Sequence, residues 1–419
     1  MHILIIPSEE YIPKHLPLAG IFQHDQAKIL QQNGHQVGAL SFTFKYSVSS
    51  LLNVLIGRKT KHTKALNFGS SFQLLIKKIL LPYSSTFIFE TIDNISVVRC
   101  DGFWWFKKNN RPLSSYEMWL KYGQFTLKYY IQKFGKPDII HTHNMIYAGI
   151  CFSELSEKFN VPIVITEHST EFALKEQTKD ISKKINTLLK HHDSKLLAVS
   201  PKLIELLNLK FFNSKQSKIE WLPNVLDTRF EESVKFKSEY NIEKVRFFNL
   251  ANLIPVKGQK ELISAFAKAF KYFDDVELLI AGNGVLKVEL EKLIDELELN
   301  DKVKLIGLIN RDEVIKQLDN CDVFVLPSYY ETFGVVLIEA LSRGVPVIST
   351  FCDGPECIVN KSNGILVQPK NVDELAQALV KMYHEHNNYN KEQLREDVIK
   401  LYGKEVFYQR VMEIYKSAL

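Results

Sequence analysis

Two carboxylates, Glu331 and Glu339, lie eight positions apart in PSYYETFGVVLIEAL (residues 327–341), a stretch otherwise suited to burial. The run DVFVLP reads as a strand ending at Pro327, SYYET as a polar loop, and a helix begins near Gly334. This spacing sets Glu331 just ahead of a helix N-terminus and Glu339 one to two turns inside it. A helix start opened by a small residue presents unpaired N–H groups and partial positive charge, which suits phosphate. With a diphosphate docked there, the two carboxylates can accept hydrogen bonds from hydroxyls at either end of a nucleotide-sugar. The alternative is that Glu331 merely favours the helix start electrostatically and Glu339 faces solvent.

Other residues are candidates by type. Lys257 in ANLIPVKG can meet an anion or be a solvated loop lysine before a helix. His168 follows the strand-like VITEH, where a lone histidine is commonly a cap or core-edge residue. His141 and His143 in HTH share one strand face, but without a third acid or thiol nearby they read as structural rather than as a zinc site. Gly20 in PLAGIFQHDQ opens a helix and can be its N-cap. Gly282 and Gly284 in LIAGNGV lack the third glycine and the ribose-binding acid of a dinucleotide fingerprint. The chain contains no D-x-D, so no acidic pair is on hand for a divalent ion, and no metal or other cofactor is expected.

These residues need elements to hold them. With 419 residues, two domains are the default. HILIIP, DIIHTH, VPIVITEH and KLLAVS alternate with amphipathic segments, and RFFNLAN, VELLIAG, KVKLIG, DVFVLP and VPVIST repeat the scheme, which predicts parallel sheets covered by helices. The expected division is residues 1–235, residues 236–403, and a terminal segment 404–419 whose helical spacing needs another surface to pack on. The linker is placed near residues 226–242. Residues 45–120 break the rhythm and read as an insertion containing the helix SFQLLIKKILL, stopped by Pro82.

Charge is uneven. Residues 1–235 carry 30 Lys+Arg against 20 Asp+Glu, and residues 45–111 carry 11 against 3, interleaved with aromatics. That segment suits an anionic membrane surface or a lipid-linked acceptor, or else a solvated basic face; no nucleic-acid module accompanies it. Five scattered cysteines without a C-x-x-C pair argue against a disulfide framework and fit a reducing cytoplasm. The N-terminus reads as a buried strand and no apolar run reaches bilayer length, so the expected location is cytoplasmic, with peripheral contact at the inner face of the membrane.

Glu331, Phe333, Gly334, Glu339, Ala340, Gly344, Pro346 and Val347 together resemble the Glu-x7-Glu hallmark of the retaining glycosyltransferases of family four, which have the GT-B fold. LIAGNGV, KLIGLINRDEV with Gly307, CDVFVLPS, CDGPECIV and SNGILVQP extend the likeness, and PNVLD, NGHQV, HTHN and VITEH carry it loosely into the N-terminal half. The resemblance implies two Rossmann-like α/β domains facing across a cleft, with a C-terminal helix crossing back to the first. It implies that Glu331 contacts the donor sugar, Glu339 the ribose, and the amides of Phe333, Gly334 and Val335 the sugar and phosphates. It implies that His168 faces the donor and that Gly20 lies near the phosphates and acceptor. Where the family has G-R-L-x-x-x-K-G, this chain keeps Lys257 and Gly258 but has Asn252 for the arginine. Asn252 can donate a hydrogen bond but not bidentate charge. The implied reaction is metal-independent transfer, with retention, of a sugar from a nucleotide-sugar to a glycan or lipid-linked acceptor in cell-surface polysaccharide or glycolipid synthesis. Its rivals are a catalytically weakened nucleotide-sugar-binding scaffold, suggested by Asn252, and another GT-B enzyme such as a sugar-nucleotide epimerase.

Overall fold

Near-continuous apolar runs form parallel strands when helices cover both sheet faces, and here HILIIP is buried along its whole length. The computed structural model describes residues 1–12, 20–58, 67–80, 87–104, 107–108, 111–112, 115–177, 179–188, 194–211, 219–232, 234 and 244–419. The strands before the linker are β1 (His2–Pro7), β2 (Gln36–Ser47), β3 (Phe87–Ile92), β4 (Ile95–Trp104), a short hairpin β5 (Lys107–Lys108) and β6 (Arg111–Pro112), β7 (Ile139–His143), β8 (Ile163–Glu167), β9 (Ser194–Ala198) and β10 (Ile219–Trp221). After it come β11 (Val245–Leu250), β12 (Val276–Ala281), β13 (Val303–Gly307), β14 (Val323–Leu326), β15 (Val347–Thr350) and β16 (Gly364–Val367).

The first large sheet has the order β10-β9-β8-β7-β1-β2-β4-β3 and the second β13-β12-β11-β14-β15-β16. Every pairing in both is parallel except the antiparallel β3–β4 pair. These are two doubly wound α/β units, as the sequence pattern predicts. In each, the strand order reverses beside the first strand, between β1 and β7 and between β11 and β14. Loops leaving the carboxyl ends of such strand pairs diverge and open a crevice, the usual ligand position in open α/β sheets.

The expected insertion at residues 45–120 needs correction. Its helix exists, at Phe68–Leu80, but β4 pairs in parallel with β2 from Gly38 against Ser96 to Ser47 against Trp104. Most of the segment's strand content therefore belongs to the main sheet. The β3–β4 hairpin turns at Asp93 and Asn94, both at positive φ, and this antiparallel turn is what disturbs the βαβ rhythm. Pro82, the expected helix stop, lies outside the described residues.

The last helix, Lys404–Ala418, buries Phe407, Val411, Ile414 and Tyr415 in one cluster with Ile3, Ile5, Ile139 and Leu197 of the first domain. It thus crosses back as expected. Arg395, on the preceding helix, secures the crossing by donating to the carbonyl oxygens of Phe230 (2.8 Å), Ser342 (2.7 Å) and Glu232 (2.8 Å), as well as Glu231.

Candidate active site

The crevice beside β11 and β14 holds the charged candidates. After β11 the chain makes one 3-10 turn, Pro255–Lys257, and Gly258 at φ 69° starts the helix Gln259–Ala269. A Cβ on Gly258 would lie 2.1 Å from the carbonyl oxygen of Pro327, so only glycine lets this turn sit against the loop leaving β14. That approach brings Lys257 Nζ to 2.6 Å from Glu331 Oε1, which also accepts from Ser328 Oγ at 2.7 Å. The Glu331 backbone is fixed as well: its N–H donates to Cys352 O (3.1 Å) and its carbonyl accepts from Gly354 N (2.8 Å).

Phe333 is buried, with its ring edge-on to Tyr402 at 5.5 Å, so its side chain serves the core. Gly334 at φ 103° opens the helix Val335–Ser342 with no side-chain cap. Leu337 N donates to Gly334 O at 2.9 Å, while the first amide, Val335, lies too early in the helix to have an intrahelical partner. Glu339 is 1% exposed, not solvent-facing. Its Oε1 pairs with Arg311 Nη1 at 2.7 Å, and among the described residues its buried Oε2 has no hydrogen-bond partner. Burial raises the Glu339 carboxyl, and Arg311 pulls it back.

Asn252 is exposed and engaged through its carbonyl oxygen, which accepts from Gln259 Nε2 at 3.0 Å. Gly307, at the end of β13, accepts from Gly282 N at 2.8 Å, and a Cβ there would meet nothing within 4 Å. The Gly282–Gly284 pair is explained by packing: Cβ atoms there would fall 1.9 Å from Ala251 O and 2.3 Å from Leu253 O. The two glycines let one turn support the loop that carries Asn252 and Lys257.

The facing wall comes from the carboxyl ends of β1, β7 and β8. Gly20 at φ 69° starts the helix Ile21–Gln32, and the next turn sets the Phe22 ring 4.6 Å from that of His168. His168 Nε2 shares a 2.9 Å hydrogen bond with His143 Nδ1. His143 stacks at 4.6 Å on His141, which is held by Tyr415 Oη and Thr166 Oγ1, both at 2.7 Å. Burial pushes His141 and His168 down to about 3 and His143 well below its usual value, so all three rings are neutral at physiological pH. Glu167 accepts from Met145 N (2.7 Å) and Ser169 N (2.6 Å), and burial pushes it up to about 7. Glu9, bonded to Gln23 Nε2 (2.5 Å) and Asn144 Nδ2 (3.1 Å), is raised by the same cause.

The structure therefore joins Lys257 to Glu331 directly and groups Phe333, Gly334 and Val335 beside them, while His168 and Gly20 form the separate facing wall. Burial raises the hydroxyl of Tyr330, next to Glu331, and Glu167, next to His168, is among the carboxylates that add to the effect. Residues not singled out from sequence complete the site: Asp227 Oδ2 accepts from Arg311 Nε (3.1 Å) and Nη2 (2.8 Å) and from Arg229 Nη2 (2.7 Å). Arg311 lies in NRDEV and Asp227 in PNVLD, both inside stretches already matched, but nothing in their spacing shows that they meet.

Residues 230–400 match the family model for glycosyl transferases group 1, and residues 92–230 match that for glycosyltransferase family 4. An uncharacterized glycosyltransferase of Methanocaldococcus jannaschii is 28% identical over 355 residues, 79% of this chain and 87% of that protein. N-acetyl-alpha-D-glucosaminyl L-malate synthase of Bacillus anthracis is 28% identical over 294 residues, covering 67% and 75% of the two chains. In fold, the chain resembles sucrose-phosphate synthase from Thermosynechococcus elongatus (TM-score 0.73, 19% identity, 100% and 99% covered). It also resembles Anabaena HepE in complex with UDP (TM-score 0.68, 18% identity, both chains covered fully). Two adjoining family matches over a pair of doubly wound sheets, with Lys257 paired to Glu331 at the strand-order reversal of the second, place this chain in family four of the group 1 glycosyltransferases, with the GT-B fold.

Proposed function

We propose that the enzyme transfers a sugar, with retention of anomeric configuration and without a metal, from a nucleotide-sugar held by the second domain to a glycan or lipid-linked acceptor at the first. The observation that carries this reading is the 2.6 Å Lys257–Glu331 pair beside the uncapped helix start at Gly334. A diphosphate at those amides lies next to the lysine, the cation that stabilises it as it leaves. Glu331 then faces the sugar hydroxyls and Glu339 the ribose. Lys257 and backbone amides meet the leaving-group charge without a divalent ion. The neutral His168 ring is suited to hydrogen bonding and orientation, not to carrying charge. Retention without a protein nucleophile implies attack from the leaving-group face, with the departing diphosphate accepting the acceptor proton.

Incubation with a panel of sugar nucleotides and acceptors, with and without EDTA, tests the proposal through nucleotide release and the anomeric configuration of the product. Absence of turnover with every pair, an inverted product, or loss of activity in EDTA sinks the corresponding part. The rival suggested by Asn252, a catalytically weakened nucleotide-sugar-binding scaffold, is separated by the same assay, since an active wild type dismisses it.

The acceptor side carries the membrane proposal. Leu52, Ile56, Phe68, Phe72 and Ile76 are exposed on the helices Val48–Leu55 and Phe68–Leu80 and the turn after the first. Apolar residues beside a basic segment suit an anionic, lipid-bearing surface at the cytoplasmic face. Among the described residues no helix is long and apolar enough to cross a membrane. Co-sedimentation with anionic vesicles, before and after neutralising Lys77, Lys78, Lys107 and Lys108, tests it; equal absence of binding removes the membrane from the proposal. A synthesis role in cell-surface polysaccharide or glycolipid follows from such an acceptor.

A further inference from the structure

The cluster behind Glu339 is built from three separate parts of the chain. Glu339 comes from the helix Val335–Ser342, Arg311 from the first position of the helix Arg311–Asp319, and Asp227 with Arg229 from the turn that follows β10. Arg311 is nearly enclosed, with its guanidinium 4.7 Å from the Phe230 ring centroid and two of its nitrogens on Asp227. Its third, Nη1, holds Glu339 Oε1 at 2.7 Å. Asp227 is itself secured by Arg229. Asp25 on the helix Ile21–Gln32 adds a buried carboxyl whose charge interacts with both arginines and with Glu339.

A planar cation fixed on both edges has one orientation, and so has the carboxylate it holds. One Glu339 oxygen is consumed by the arginine. The other, Oε2, is a buried acceptor without a partner among the described residues, a state that is costly unless something supplies a donor. Burial works against the ionised carboxylate, and Arg311 offsets it.

We propose that Arg311, clamped by Asp227 and Phe230, is a positioning residue that fixes Glu339 with Oε1 occupied and Oε2 reserved for a ribose hydroxyl of the donor. The inference rests on the nucleotide-sugar reading and adds to it the source of ribose selectivity. The sugar-reading Glu331 depends on Lys257, whereas the ribose-reading Glu339 depends on an arginine anchored at the junction of the two domains. Nucleotide selectivity is thus set partly by the connection between the domains.

The test is calorimetric binding of UDP, GDP and ADP and of their 2′-deoxy and 3′-deoxy counterparts to wild type, Arg311→Met, Arg311→Lys and Asp227→Asn, with unfolding midpoints recorded for each. Wild type is expected to prefer at least one ribonucleotide over a deoxy counterpart by about tenfold or more. Arg311→Met is expected to bind that ribonucleotide about 10- to 100-fold more weakly and to lose most of the preference, while its deoxy-nucleotide binding changes little. Arg311→Lys retains part of the preference, because it keeps charge but not the fork. A folded Arg311→Met that keeps the full preference overturns the proposal. If that variant does not fold, an undiminished preference in both Arg311→Lys and Asp227→Asn overturns it. Wild type that binds ribonucleotides without preference overturns the ribose assignment alone, and wild type that binds none of them overturns the nucleotide-sugar reading with it.

Discussion

The two walls of the site handle buried ionisable groups in opposite ways. On the second domain, charge is kept and paired: Lys257 with Glu331, and Arg311 with Glu339 and with Asp227 at the domain junction. On the first, charge is removed: burial leaves His141, His143 and His168 neutral and raises Glu167 and Glu9. A wall of fixed charge suits an anionic nucleotide and its departing diphosphate. A wall of neutral donors and acceptors suits sugar hydroxyls, which need orientation rather than charge. On the proposed reading, one sheet architecture serves two kinds of recognition through the surroundings of its strand ends.

The largest effect should come from removing the fixed charge. Lys257→Met leaves Glu331 without its cation and removes the lysine proposed to meet the diphosphate, and is expected to lower kcat/KM for nucleotide release by about 10³-fold. A loss under tenfold would show that paired charge does not distinguish this wall. Gly258→Ala tests the geometry that creates the pair, since its Cβ would meet Pro327 O at 2.1 Å at a positive φ. It is expected to cost about 1–3 kcal/mol of stability and, by displacing Lys257, roughly 10²-fold in kcat. Unfolding midpoints and steady-state kinetics on the same preparation separate the two effects.

The neutral wall is read through pH. His141 and His168 have folded values of about 3 against an ordinary 6.5, so as pH falls below 6.5 the unfolded chain takes up protons that the folded chain refuses. Their contribution to stability is present above that pH and is lost toward pH 3, at up to about 1.4 kcal/mol per pH unit for each histidine. Glu167 works in the other direction: its value is raised to about 7, and its penalty is relieved as pH falls from 7. Comparing His141→Asn with wild type isolates one histidine; between pH 7 and 5 the variant's unfolding midpoint should fall less. Parallel curves would break the contrast between the walls. The smallest effect belongs to Asn252→Arg, which adds an exposed cation near the proposed diphosphate site and should tighten nucleotide diphosphate binding by no more than about tenfold.

Much of the charged wall was legible because it is local. Glu331, Gly334 and Glu339 share one loop and helix, and Lys257 precedes a helix at the paired strand end, so residue order predicts their neighbourhood. Arg311 and Asp227 are 84 residues apart, and only the packing of the domain junction brings them together. The histidine wall was half legible: alternation along β7 puts His141 and His143 on one face, but contact with Tyr415 depends on a helix that begins after the whole second domain. The placement of β4 was missed because an antiparallel hairpin interrupts the helix–strand alternation on which the reading of residues 45–120 relied.

The return of the helix Lys404–Ala418 has a practical consequence for dissecting the protein. The obvious cut, between residues 235 and 236, divides one apolar cluster: the first half would lose the cover that Phe407, Val411, Ile414 and Tyr415 add over Ile3, Ile5, Ile139 and Leu197, and the second would carry that apolar helix face without its partner. A split version should instead join residues 404–419 to the first half through a linker, as in a circular permutation. The chain runs once through two lobes, but one apolar cluster of the first is assembled from both ends of the sequence.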